Sequence, residues 1–303
     1  SHYGSAFGGN ALLGKIAHGL RLASFDAHRN GWLVAQMGLM GIEDTHTGKT
    51  TYFVVGFPSA SGKTNLVMMR PPDALADRYK VHFLGDDIVW MRRGEDGKVY
   101  AMNPEYGVFG VVPDTNEQSN PNAMAAIGPG SGTIFTNVAY NEQTKGVWWE
   151  GKTPNHPDDL TGWLDWQGKR ISDRPVEQQR NRASLWAQPN SRFTTTITNV
   201  PNLSPEWNNP NGVPISGVIW GGRVTSTRQP LILQLRNGAE GVYDGAVMGA
   251  ETTAAIEGGA QFRSDTMAMM GFYSFHEADY FQDWHDLMGG LATTCVLRSC
   301  HAR

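Results

Sequence analysis

The segment Gly56-Phe-Pro-Ser-Ala-Ser-Gly-Lys-Thr-Asn65 constrains this chain most. It follows Thr51-Tyr-Phe-Val-Val55, a β-branched and aromatic run that predicts a buried strand. It precedes Leu66–Arg70, where a helix is expected to begin. A glycine loop between a strand and a helix turns its backbone N–H groups inward, where they can cradle phosphate oxygens. Lys63 would then reach an outer phosphate, and the Thr64 hydroxyl would hold a divalent metal. The loop is one residue longer than the usual phosphate loop, because five residues rather than four separate Gly56 from Gly62. A plain structural glycine turn is the competing reading.

The surrounding order agrees with the phosphate-binding reading. Val81–Leu84 predicts a second short strand, closed by Gly85-Asp86-Asp87. Strand, glycine loop, helix, strand and acidic pair make up the order of a phosphate-binding α/β core. Asp87 stands 24 residues after Lys63, so its carboxylate can face Thr64 across a metal ion. Asp in a turn or helix cap is the bland alternative. Before the loop, Leu13, Ile16, Ala17, Leu20 and Ser24 recur at helical spacing up to Gly31. After it, short strands are expected at 133–138, 146–149, 192–198, 217–220 and 231–235. The polar stretch 151–187 is expected to be a surface excursion anchored by Trp163, Trp166 and Trp186.

With 303 residues, 40% hydrophobic and 18% charged, the chain is long enough for a sizeable core and is neither disordered nor a coiled coil. Its 36 glycines fit many tight turns and close approaches to a ligand. A net charge of −4 argues against a nucleic-acid or anionic-membrane partner. No apolar run predicts a membrane span. The only two cysteines, Cys295 and Cys300, leave a cysteine-poor body that points to the cytoplasm. The chain opens without Met in a glycine-rich stretch and closes without periodicity, so it is expected to be a piece of something longer.

Two arginines complete the set of candidates, in Asn190-Ser-Arg192-Phe and Gly221-Gly-Arg223. A rigid guanidinium fork suits a small, highly anionic substrate, although either residue alone reads equally as a surface or salt-bridge group.

Taken in order, the segments 4–15, Phe57-Pro-Ser-Ala-Ser-Gly-Lys-Thr-Asn65, Gly85-Asp-Asp-Ile-Val-Trp-Met91, Asn103-Pro-Glu-Tyr-Gly-Val-Phe-Gly110, 134–139, Pro189-Asn-Ser-Arg-Phe193, 212–215, 221–223 and 250–255 resemble phosphoenolpyruvate carboxykinase of the GTP-using lineage. The resemblance covers roughly residues 1–290 and is carried by the joint occurrence of these motifs. It implies an α/β fold with a carboxykinase-like phosphate-loop core, mixed sheets and a strand-rich lobe. It also implies the end of a substrate-binding domain over 1–48, a nucleotide-binding domain over 49–290 and an irregular tail over 291–303.

The implied reaction converts oxaloacetate and a phosphoryl donor, GTP or pyrophosphate, into phosphoenolpyruvate and CO2. Ser59, Ala60, Ser61, Gly62, Lys63, Thr64 and Asn65 would form the phosphate loop, with Lys63 on the transferred phosphate and Thr64 on Mg2+. Asp87 would hold a second, activating metal, usually Mn2+. The Gly8 and Gly9 backbone, Ser59, Asn190 and Arg192 would contact the C4 acid, and Arg223 the donor's phosphate. Residues 250–259 match a mobile lid.

The departures are specific. The family holds its activating metal with a Lys, a His and an Asp, and Ile16 and Gln36 stand at the first two positions here. Lys15 and His18 are the next candidates. Phe7 replaces a substrate-side tyrosine and Ser61 a reactive loop cysteine. No aromatic guanine pocket has a counterpart in these residues. The alternatives are therefore a GTP enzyme, a pyrophosphate-using relative, and a non-catalytic or inactive relative that binds a phosphorylated metabolite. Retention of Lys63, Thr64, Asp87, Arg192 and Arg223 together argues against the last.

Overall fold

The computed structural model describes residues 13–58, 61–181, 185–223, 232–251, 261–264, 266–268, 273–289 and 294–299. The described residues divide into two compact units, one within 13–106 and 202–299 and the other within 107–201. Both mix short helices with sheets, in keeping with the α/β class expected.

The first unit opens with helix α1 (Leu13–Leu22), wound with wider π-type turns, and continues directly into α2 (Ala23–Asn30). Gly31, in the left-handed region at φ 72°, ends it where the sequence placed the stop. The sheet that follows contains β1 (Leu33–Ala35), β2 (Met37–Asp44), β3 (Lys49–Gly56), β4 (Tyr79–Gly85), β5 (Val89–Arg93), β6 (Val99–Met102) and β7 (Val213–Arg223). Its order is β1-β5-β6-β7-β3-β2-β4. Two further strands, β8 (Ile232–Leu235) and β9 (Thr294–Ser299), join through β7. β3 and β7 run parallel, while β2 lies antiparallel between β3 and β4.

This arrangement puts three carboxyl ends on one edge of the sheet. Trp220 of β7 pairs with Gly56 of β3, Met37 of β2 pairs with the same Gly56, and Leu39 pairs with Gly85 of β4. The phosphate loop, the acidic pair and Arg223 therefore all leave from that edge, together with Gln36 just ahead of β2. Ligands of open α/β sheets bind at such an edge. Gly56 is required there, since a Cβ would come within 2.7 Å of both the Met37 methyl and the Trp220 ring.

Beneath the edge, Leu20, Val34, Met37, Val54, Leu84, Ile88 and Trp220 form one buried core with Tyr280 and Trp284. The two tryptophans sit 5.0 Å apart, and the Tyr280 hydroxyl donates to the Val34 carbonyl at 3.0 Å. Tyr280 and Trp284 come from the helix Glu277–Met288.

Two boundary expectations differ from this architecture. Residues 13–48 belong to the same compact unit as the phosphate loop, because β2 is the strand that separates β3 from β4. The expected irregular tail contains β9, whose backbone finds a parallel partner along Ile219–Arg223 of β7.

The second unit is the strand-rich lobe. The strand Arg192–Thr196 lies between Gly107–Val111 and Ile134–Thr136. A second small sheet joins Ala139–Asn141, Val147–Trp148 and Trp163–Leu164. Trp186 is fully buried with Ala139, Trp148 and Ile171, and Trp163 packs against them. The excursion 151–187 is thus packed onto Ala139 and Trp148 through two of the three expected tryptophans, Trp163 and Trp186. Trp166 is held by its backbone, which donates to the Trp186 carbonyl at 2.9 Å.

Candidate active site

The loop after β3 reaches helix α3 (Lys63–Val67) through Gly62, which has φ 97°. A side chain is strained in that conformation, so glycine is needed immediately before the lysine. α3 packs on β2, β3 and β4. Ser59 and Ala60 lie outside the described residues. Ser61 is buried, and its hydroxyl has no hydrogen-bond partner among the described residues. Lys63 is buried, Thr64 is half-buried and Asn65 is exposed.

Lys63 Nζ meets Asp87 Oδ1 in an ion pair and lies 3.4 Å from the Gln36 carbonyl. The Gln36 carboxamide donates to the same Oδ1 at 3.4 Å. The second Asp87 oxygen is taken by Lys15 Nζ at 2.8 Å, and Lys15 also reaches Glu105 Oε1 at 3.3 Å. Glu105 is held in place by Asn103, whose amide donates to the Glu105 carbonyl and whose side-chain oxygen accepts from the Glu105 N–H. Asp86 is 2% exposed and completes the cluster. Two ammonium groups therefore face three carboxyls at the mouth of the loop.

Electrostatics within this cluster set the protonation states. Burial works against the charge of Asp87, but the ammonium groups of Lys15 and Lys63 win and hold its carboxyl below the usual range. Burial likewise opposes the charge of Lys15, yet Asp87, Asp86 and Glu105 hold its pKa above the ordinary lysine value. Lys15 is thus a fixed ammonium ion. Burial pushes Asp86 up to about 6, with the Asp87 charge adding to the effect. Burial also pushes Glu105 up to about 7, reinforced by Asp86 and Asp87 and opposed by Lys15.

A carboxyl whose pKa is raised by folding favours the folded state while protonated. Its contribution is fully present below the ordinary value of 4.5 and is lost as pH rises through about 7. The thermal midpoint should therefore fall across that window. Glu105→Gln, which is permanently neutral, should flatten the fall; superimposable wild-type and variant profiles would contradict the assignment.

Arg223 ends β7 at the same sheet edge, three residues beyond the partner of Gly56. Its buried Nε has no hydrogen-bond partner among the described residues. Asn190 and Arg192 belong to the other unit. There Arg192 Nε donates to Asn190 Oδ1 at 3.0 Å, and its guanidinium lies 5.3 Å from the Phe109 ring centre. Phe7, Gly8, Gly9 and residues 252–259 of the segment expected to be a lid lie outside the described residues.

Of the two alternative ligands, His18 is exposed on α1, whereas Lys15 is buried in the cluster. Ile16 packs against the hydrophobic core, as its place on the apolar helical face implied. Sequence reasoning named Lys15 only as an alternative metal ligand and Glu105 only as part of Asn103-Pro-Glu, and it placed neither in an ion-pair cluster with Asp87. Among the described residues, no group of three or more His, Cys, Asp or Glu converges on a metal-sized site. No described helix is long and apolar enough to cross a membrane.

The family model described as the phosphoenolpyruvate carboxykinase C-terminal P-loop domain matches residues 32–294. The phosphoenolpyruvate carboxykinase [GTP] of Chlamydia pneumoniae is 46% identical over 283 residues, covering 93% of this chain and 44% of that protein. Its counterpart in Anaeromyxobacter sp. (strain K) is 46% identical over 285 residues, 94% of this chain and 45% of that protein. The Chlamydia muridarum protein is 43% identical over 288 residues. The chain thus spans less than half the length of these curated relatives.

Proposed function

Since the chain belongs to the GTP-type phosphoenolpyruvate carboxykinase family through its C-terminal P-loop domain, we propose that it carries the phosphoryl-transfer site of an enzyme converting oxaloacetate and GTP into phosphoenolpyruvate, CO2 and GDP. The observation that carries this reading is the buried Lys63, set at the end of a left-handed glycine turn and ion-paired to Asp87.

Loss of CO2 from oxaloacetate leaves an enolate, whose oxygen takes the terminal phosphoryl group of the nucleotide. That transfer demands positioning and charge neutralisation more than covalent chemistry. Lys63 supplies a point charge to the phosphoryl group, and residues 59–65 surround the phosphates with backbone N–H groups. Thr64 would hold the magnesium ion that enters as part of the nucleotide substrate, whose charge would offset that of the phosphates. Arg223, with its buried Nε, takes the donor's phosphate. Asn190 and Arg192 would contact the organic acid, for which the Arg192 fork is suited.

The manganese site that the resemblance implies does not match the residues around Asp87. Ile16 packs against the core and offers no ligand atom, Gln36 offers its amide N–H to Asp87, and both Asp87 oxygens already hold ammonium groups. No step is assigned to that metal. The cysteine-poor body supports a cytoplasmic location.

The relatives' names favour GTP over pyrophosphate as donor. Side-by-side turnover of oxaloacetate with each donor, in the protein that carries this chain, should show GTP supporting phosphoenolpyruvate formation and pyrophosphate little. The reverse preference would overturn the GTP reading and retain the phosphate-loop assignment.

A further inference from the structure

The cluster at Asp87 is built for cations that the chain itself supplies. We infer that Lys15 is the resident cation of this site: its ammonium group, held between Asp87 and Glu105, takes the place of the activating manganese ion, and the chain does not bind manganese at Asp87.

Four observations lead there. Lys15 is 5% exposed in its side chain, so it is not a surface lysine folded back on a convenient acid. It meets two carboxylates from different loops, Asp87 after β4 and Glu105 after β6, at 2.8 and 3.3 Å. An ammonium group has donors only and no lone pair, so in this state it competes with a metal and cannot ligate one. Finally, Ile16 has no donor atom and packs against the core, and Gln36 turns its NH2, which cannot ligate a metal, toward Asp87.

Helix α1 explains how Lys15 arrives. Its π-type turns advance the chain more slowly around the axis than α-turns, and such windings recur at functional sites. In this winding Ile16 packs on the core while the preceding residue enters the charge cluster. A divalent ion placed at Asp87 would then face the ammonium groups of both Lys15 and Lys63, and like charges in a dry site repel strongly. Removing Lys15 reverses the balance. Asp87 and Glu105 would lose their shared cation, with Asp86 buried beside them, and hard carboxylate oxygens favour Mn2+.

The inference rests on the carboxykinase reading only for the identity of the displaced metal. Its test uses Mn2+ alone, without nucleotide or organic acid, so its failure is distinct from failure to turn over oxaloacetate. Free Mn2+ is titrated by electron paramagnetic resonance against the wild-type chain, Lys15→Met, and Lys15→Met combined with Asp87→Asn, each checked for folding by circular dichroism. The wild type should show no saturable site below about 1 mM. Lys15→Met should acquire a single site about tenfold tighter or better, and the double variant should lose it.

Two results would overturn the inference. One is a wild-type site that saturates at micromolar Mn2+. The other is a folded Lys15→Met chain that binds no more tightly than wild type. Lys15→Gln serves if the methionine variant does not fold, and the wild-type titration decides the first point without any variant.

Discussion

Replacing Lys63 by alanine should lower phosphoryl transfer about a thousandfold or more while leaving the fold intact. The side chain is buried at the loop's end and ion-paired to Asp87, and in the proposed reaction its ammonium is the group that serves the donor's outer phosphate. Backbone N–H groups can orient phosphate oxygens, but they carry no net charge to offset the charge developing on the transferred group. The fold should survive because Asp87 keeps Lys15 as a partner at 2.8 Å. Turnover of Lys63→Ala within a few-fold of wild type, with an unchanged circular dichroism spectrum, would remove Lys63 from the chemistry.

The second large effect is on stability. Asp87→Asn removes the carboxylate that ion-pairs with both lysines, and leaves two largely buried ammonium groups with Glu105 and Asp86 as remaining counter-charges. Breaking a buried ion pair from one side typically costs about 3–5 kcal/mol, because the abandoned charge keeps its desolvation penalty. Denaturant unfolding should register a loss of about that size. Adding Lys15→Met to Asp87→Asn should recover part of it, since the pair is then removed from both sides and the two changes are not additive. An Asp87→Asn chain within about 1 kcal/mol of wild type would mean that the cluster is solvated and contributes little.

These two residues were legible in the sequence for different reasons. Lys63 follows a strand and a glycine turn, so local pattern alone placed it. Asp87 was placed by its position at the end of the next strand, and β4 does end at Gly85. Arg223 could be named but not located until the parallel pairing of β3 with β7 put both carboxyl ends on one edge.

Lys15 was named only as an alternative ligand and Glu105 carried no role, because their meeting at Asp87 is tertiary. No spacing rule links a residue of α1 to residues 87 and 105, and a 3.6-residue period cannot anticipate a π-type winding. The same applies to the strand-rich lobe. Strands of two or three residues, such as Val147–Trp148 and Ala139–Asn141, are too short to show alternation. They are fixed by packing around Trp148 and Trp186 rather than by their own propensities. The tail strand β9 depends on the β7 edge that receives it.

The central claim, a phosphate-loop site that couples decarboxylation to phosphoryl transfer, is tested most directly by stoichiometry. The protein that carries this chain is given oxaloacetate and GTP, and CO2, phosphoenolpyruvate and GDP are counted in the same reaction. Equal amounts of all three, falling together in Lys63→Ala, are the predicted result. Release of CO2 with pyruvate in place of phosphoenolpyruvate, or GDP formed without oxaloacetate, would contradict it.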